Sequence, residues 1–206
     1  MADADPPPPL ALVVVDVQGG DQAGGDDSPG IPTMGDGGRR ARLERIRGLV
    51  AHAREHDVPV VFIMEVHKPS LVDIGRELDG AEGPHCIEGD PTTELASGLD
   101  PRPEEFVIRK RRYSAFFATE LDLVLRSHGA RTVILVGGLT DVCIHYTAVD
   151  AHQHDYAIRV ASDAVGGSSV AAHDAALRAI EYLQRDALAT TEELRAVIAA
   201  QAARVP

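Results

Sequence analysis

The sequence predicts an α/β domain of three layers, a doubly wound, mainly parallel sheet of five or six strands between two layers of helices. Two observations carry that expectation. Short apolar runs alternate along the chain with segments of helical period. The runs are continuous, as strands buried on both faces require, and do not alternate with polar residues.

The elements follow in order. Residues 10–15, all apolar, read as a buried strand ending at Asp16. Residues 19–38 are rich in Gly, Asp and Pro and read as a long loop. Residues 39–56 place Leu43, Ile46, Leu49, Val50 and Ala53 at helical spacing. A second strand is expected at 58–64, and 65–105 reads as loop with at most a turn of helix. A short third strand at 106–108 runs into Arg109 and Lys110, and 114–128 is expected to be one helix stopped by Gly129. A fourth strand at 132–136 leads through Gly137 and Gly138 into a helix at 141–154. A fifth strand at 157–160, a helix at 170–183 and a sixth strand at 187–189 complete the alternation. Thr190 and Glu193 form a capping box that opens the last helix. Residues 1–9 read as a stiff Pro-rich tail and 10–206 as one domain.

Composition narrows the function. The net charge of −12 disfavours nucleic acid as a partner. Much of it lies early, in Asp3, Asp5, Asp16, Asp21, Asp26, Asp27 and Asp36, with no basic residue before Arg39. Two cysteines, Cys86 and Cys143, exclude a disulfide framework. No stretch approaches the ~20 apolar residues of a membrane span, and the N-terminus lacks the features of a secretory signal, so a cytoplasmic protein with no membrane partner is expected. Only two lysines occur, Lys68 and Lys110.

In a parallel sheet, ligands sit beyond the carboxyl ends of the strands. Asp16 ends the first strand, Lys110 follows the third, and Cys143 follows the fourth through a Gly-Gly turn. Each alone admits a plainer role: a loop cap, a surface charge, a buried thiol. Together they form a chemically coherent set. A helix N-terminus and a nearby ammonium favour thiolate. A carboxylate can take the thiol proton and pass it to a leaving amine. Backbone N–H groups of the Gly-rich turn can hold an oxyanion.

Four motifs then carry a resemblance. They are Val14-Val15-Asp16-Val17-Gln18; Val107-Ile108-Arg109-Lys110-Arg111-Arg112-Tyr113-Ser114-Ala115-Phe116 with Thr119 and Leu121; Val136-Gly137-Gly138-Leu139-Thr140-Asp141-Val142-Cys143 with Thr147, Asp150 and Ala151; and Val160-Ala161-Ser162-Asp163-Ala164. In this order and spacing, over about residues 10–193, the chain resembles the isochorismatase-like cysteine hydrolases, relatives of nicotinamidases and N-carbamoylsarcosine amidases. The resemblance implies Cys143 as nucleophile, Asp16 as general base and acid, and Lys110 as the third catalytic residue. It implies a cis peptide at Gly138–Leu139, with the N–H groups of Leu139 and Cys143 forming the oxyanion hole. The implied reaction is hydrolysis of a small amide, ureide or cyclic amide through a thioester, by a homo-oligomer that requires no cofactor. Gln18, His67, Arg76, Phe116 and Thr140 are the candidate substrate contacts, Arg76 as a partner for a substrate carboxylate.

Nicotinamidases bind zinc or a similar ion through Asp-x-His, a further His, and a His directly before Cys. This chain has Glu65-Val66-His67, Asp73 near the place of the middle His, and Pro84-His85-Cys86. The match is partial, so no metal is assigned; Glu65, His67 and His85 are the ligands if a divalent ion such as zinc binds. The Trp that nicotinamidases place in this loop is absent. Competing readings are a metal-assisted, nicotinamidase-like amidase, a non-catalytic binding or assembly protein on the same fold, and a thiol redox sensor. Cys86 and Lys68 are expected to be bystanders. His145, His152 and His154 fall on a polar helix face, and His173 has no partner pattern.

Overall fold

A computed structural model describes residues 9–22, 38–80 and 82–202. The expected Pro-rich tail and most of the acidic Gly-rich loop lie outside these residues. Six parallel strands form one sheet: β1 (Leu10–Val15), β2 (Val60–Glu65), β3 (Phe106–Lys110), β4 (Thr132–Gly138), β5 (Ala157–Gly166) and β6 (Leu188–Ala189). Their order is β3-β2-β1-β4-β5-β6. The chain builds outward from β1 to β3, then returns to the other side of β1 with β4. The carboxyl ends of β1 and β4 therefore diverge into opposite crossovers, leaving a crevice between them.

The helices are α1 (Gly38–Glu55), α2 (Leu121–Ser127), α3 (His145–Gln153), α4 (Val170–Leu183) and α5 (Thr191–Ala202). The period of two along β1 divides the core. Ala11, Val13 and Val15 pack with Leu121, Leu125, Ile144, Ala148 and Ile180 on one face, and Leu10, Leu12 and Val14 pack with Ile46, Leu49, Leu194 and Ile198 on the other. The three expected layers are thus α2, α3 and α4, the sheet, then α1 and α5. No helix among the described residues is long and apolar enough to cross a membrane.

Several boundaries differ from expectation. The second strand starts at Val60, after Pro59, and runs on through Glu65. The third continues through Lys110, because Arg109 and Lys110 pair with Met64 and Glu65. The expected helix 114–128 is only Leu121–Ser127. Before it the chain turns tightly, with Ala118 at φ 53°, Ser114 Oγ accepting from Phe116 N, and Thr119 Oγ1 accepting from Leu121 N. The Ala115 N–H donates to Thr147 Oγ1 at 2.9 Å, which ties these turns to α3. The helix expected at 141–154 begins as a π turn, Thr140–Ile144, before α3 proper. The fifth strand extends to Gly166 across a bulge opposite Leu135 and Gly137. The capping box forms as expected, with Thr190 N donating to Glu193 Oε2 at 2.7 Å.

Candidate active site

The strand ends bring Asp16, Lys110 and Cys143 together at the β1/β4 crevice. Asp16 leaves β1 with φ 51°. Gly137, at φ 117°, lets β4 run so close to β1 that an added Cβ would lie 1.9 Å from the Val15 carbonyl oxygen. The Gly138–Leu139 peptide bond is cis. The π turn that follows places Cys143 in the wall of a cavity of about 510 Å³, which Asp16 and Leu139 also line. Two contacts hold this turn against α4 and the segment leading into it. Thr140 Oγ1 lies 2.9 Å from His173 Nδ1, and Asp141 accepts from Ser168 N at 2.8 Å.

Lys110 is fully buried, and its Nζ lies 2.8 Å from Asp16 Oδ2, 2.6 Å from Glu65 Oε2 and 3.4 Å from Cys143 Sγ. The Cys143 thiol lies 3.8 Å from Glu65 Oε2. Parallel register explains the second carboxylate: Glu65 on β2 is the pairing partner of Lys110 on β3. Burial opposes the Lys110 charge, but Asp16, Cys143 and Glu65 more than offset it and hold the ammonium protonated well above its ordinary range. Burial pushes the Asp16 carboxyl up to about 6 against the pull of Lys110. Burial and the Asp16 charge push the Cys143 thiol well above its ordinary value. Burial and the Asp16 charge thus oppose the thiolate that a helix N-terminus and a nearby ammonium favour.

Glu65 faces two ways. Its Oε1 lies 2.8 Å from His85 Nε2 and 3.2 Å from His67 Nε2. Burial raises its pKa, yet these rings and Lys110 hold it well below the usual carboxylate range. The hydrogen bond to Glu65 raises His85 to about 9. Glu77, carried inward by a 3-10 turn at Gly75–Asp79, brings Oε2 within 3.5 Å of His67 Nε2 and 3.6 Å of His85 Nε2. Glu65, His67, Glu77 and His85 each offer one ligand atom, all within 4.8 Å of one another. Two imidazoles and two carboxylates suit a divalent ion such as zinc, and neither buried oxygen of Glu77 accepts a hydrogen bond, so the donor set fits a metal. Asp73, expected near the place of the middle ligand, instead accepts from Lys68 N at 2.8 Å and Arg111 Nε at 2.6 Å.

The other expected contacts divide. Gln18 lines the cavity, donates to the Glu65 carbonyl at 2.9 Å and accepts from Glu65 N at 3.1 Å, pinning β1 to β2. His67 is fully buried behind Glu65. Arg76 lies outside the cavity wall, its side chain 94% exposed and paired with Asp79 at 2.7 Å. Phe116 sits in the core, stacked on His154 at 5.1 Å. Thr140 is buried against His173. Sequence reasoning missed Arg39, Tyr113 and Cys86 as cavity lining. Cys86, expected to be a bystander, forms part of the wall, its thiol pushed up to about 12 by burial and by Glu65. Its place beside His85 was the available signal. Lys68, expected to be solvated, is half exposed and paired with Glu88 at 2.6 Å.

A family model for the isochorismatase domain matches residues 10–193. Among curated proteins, the maleamate amidohydrolase of Pseudomonas putida is 32% identical over 83% of this chain and 81% of its own length. The ureidoacrylate amidohydrolase of Pseudomonas syringae is 32% identical over 77% of this chain and 71% of its own. Among solved structures, N-carbamoylsarcosine amidase of Thermoplasma acidophilum superposes with a TM-score of 0.72 and 27% identity, covering 89% of this chain and 97% of that one.

Proposed function

The chain belongs to the isochorismatase family, and from that premise we propose a cysteine amidohydrolase for a small amide, ureide or cyclic amide. The observation that carries the reading is the buried Lys110 ammonium within 3.4 Å of the Cys143 sulfur and 2.8 Å of the Asp16 carboxylate, two groups that line one cavity. Relatives that hydrolyse C–N bonds support it.

In this mechanism Asp16 takes the Sγ proton as sulfur attacks the substrate carbonyl carbon. The N–H groups of Leu139 and Cys143 receive the developing oxyanion. Asp16 then returns the proton to the departing nitrogen, the C–N bond breaks, and a thioester remains on Cys143. Asp16 next takes a proton from water, hydroxide attacks the thioester, and the acid leaves as the thiol regains its proton. Lys110 stays protonated throughout, holding Asp16 in place and offsetting charge on sulfur. If a divalent ion binds at Glu65, His67, Glu77 and His85, it supplies a Lewis acid at the cavity wall beside this machinery. We read the working species as a homo-oligomer.

The test is ammonia release over carbamoyl amino acids, ureides, maleamate and nicotinamide, and chromatographic detection of the ring-opened acid for lactams, with mass spectrometry of the enzyme. An acyl adduct on Cys143 and turnover lost in Cys143→Ala are expected. Full turnover in Cys143→Ala would overturn the reading. Asp16→Asn and Lys110→Met are each expected to lose about 100-fold or more in kcat/KM.

A further inference from the structure

Ligating side chains also gather at the opposite edge of the sheet from the crevice, where the last turn of α1 leads into the start of β2. His52, Glu55 and His56 stand at positions i, i+3 and i+4, which a helix stacks on one face. One ligand atom from each lies within 4.8 Å of the others, and the two ring centroids are 4.1 Å apart. The backbone beneath them is pinned. His56 N and Val58 N both donate to the Ala53 carbonyl, at 3.1 and 2.9 Å, with Asp57 at φ 55° between them. This is a Schellman-type stop, so the three side chains leave a fixed turn.

Each ring gives one nitrogen to a backbone carbonyl. His52 Nε2 lies 3.0 Å from the Arg195 carbonyl oxygen on α5, and His56 Nδ1 lies 2.9 Å from the His52 carbonyl oxygen. A carbonyl only accepts, so both of these nitrogens carry protons. In the neutral, ligating form of the rings the lone pairs then sit on His52 Nδ1 and His56 Nε2. His52 Nδ1 is 3.8 Å from Glu55 Oε2. That is too long for a hydrogen bond and near the about 3.4 Å that separates two ligands on one tetrahedral zinc ion. Histidines that bind metal donate their other N–H to a carbonyl or carboxylate, which fixes the tautomer and aims the lone pair. Both rings already meet that condition.

We infer that His52, Glu55 and His56 form a Zn²⁺ site on the last turn of α1. Two imidazoles and one carboxylate make a three-ligand set that leaves a fourth position to water. The His52 side chain is 17% exposed and that of Glu55 71%, so the fourth position opens to solvent. The carbonyl end of a helix favours a cation. The nearby guanidinium groups are engaged elsewhere: Arg54 Nε donates to Glu105 Oε1 at 2.8 Å, and Arg195 lies over Gly48, one turn back. Through the His52 bond to Arg195, the ion braces the end of α1 against α5. The inference is independent of the amidase reading.

The experiment is Zn²⁺ titration calorimetry on a parent chain carrying His85→Ala, which removes a donor from the cavity cluster. The parent is compared with the same chain carrying His52→Ala, His56→Ala, Glu55→Gln or His152→Ala. The parent is expected to bind about one ion. His52→Ala and His56→Ala are each expected to weaken binding about tenfold or more, and Glu55→Gln to weaken it as well. His152, an exposed histidine on α3, serves as the control, and His152→Ala should match the parent. If a histidine variant fails to fold, the exposed Glu55 keeps the test open, because weakened binding in Glu55→Gln supports the same site. Ring ¹⁵N resonances of the wild-type histidines read the geometry directly. They are expected to show His52 protonated at Nε2 and His56 at Nδ1 when neutral, and both rings should shift on adding Zn²⁺. No saturable binding by the parent at millimolar Zn²⁺ would overturn the inference. So would unchanged affinity in Glu55→Gln and in the histidine variants that fold, an equal loss in His152→Ala, or ring resonances of His52 and His56 that ignore the ion. Turnover is expected to be unchanged in wild type carrying only Glu55→Gln, so failure of the zinc site and failure of the amidase reading are separable.

Discussion

At the residue scale, Lys110 governs the site because it is buried between two carboxylates and a thiol. Its two carboxylates have opposite leanings. Glu65 is fixed as the anion by Lys110 and two imidazoles, whereas Asp16 keeps a pKa of about 6 and can exchange a proton near neutrality. Activity is therefore expected to fall as pH drops through about 6, when Asp16 can no longer accept the thiol proton; a pH profile of kcat/KM checks this. Stability runs the other way. The folded pKa of Asp16 lies above the unfolded value of 3.8, so its contribution is fully present below that value and lost as pH rises through about 6. Urea midpoints at pH 4 and pH 7.5 should show wild type losing stability relative to Asp16→Asn over that interval. Asp16, Lys110 and Cys143 were legible in the sequence because each terminates or follows an apolar run. The pairing of Glu65 with Lys110 was not, since it depends on the register between two strands separated by some 40 residues of irregular chain.

At the element scale, a strand is easier to read than the turn that leaves it. The apolar runs marked every strand, but β2 and β3 extend past their apolar residues because backbone pairing continues through Glu65 and Lys110. The helix expected at 114–128 has the right apolar spacing, yet its first half is turns held by Ser114, Thr119 and Thr147. Side-chain bonds to the backbone competed with helix there. Gly137 marks a close approach of β4 to β1. Gly137→Ala would push Cβ into the Val15 carbonyl at a φ of 117°, and is expected to cost about 3 kcal/mol or more, measured by urea unfolding. That substitution would also displace the turn carrying Cys143, so residual folded protein should be poorly active.

At the scale of the whole molecule, two apolar cores hold the sheet between its helical layers, and the strand order opens one crevice. The surface also carries large apolar side chains: Tyr182 is 91% exposed, and Leu123, Phe117 and Tyr146 are exposed as well. Gathered on one face, exposed apolar groups of this size would suit a subunit interface. Light scattering on the eluting protein is expected to give an integral multiple, above one, of the 21.9 kDa chain mass; a mass of one chain would refute the homo-oligomer. The sequence by itself determined the fold class, the strand sequence and the three groups at the strand ends. These follow from local hydrophobic period and from the rule that parallel strands point their carboxyl ends one way. Only the tertiary structure decided that Glu65 is the second partner of Lys110, that Glu77 rather than Asp73 joins the histidines, and that Arg76 and Phe116 stand away from the cavity. Those facts depend on register and on how an irregular segment folds back over the sheet, and neither leaves a period in the sequence.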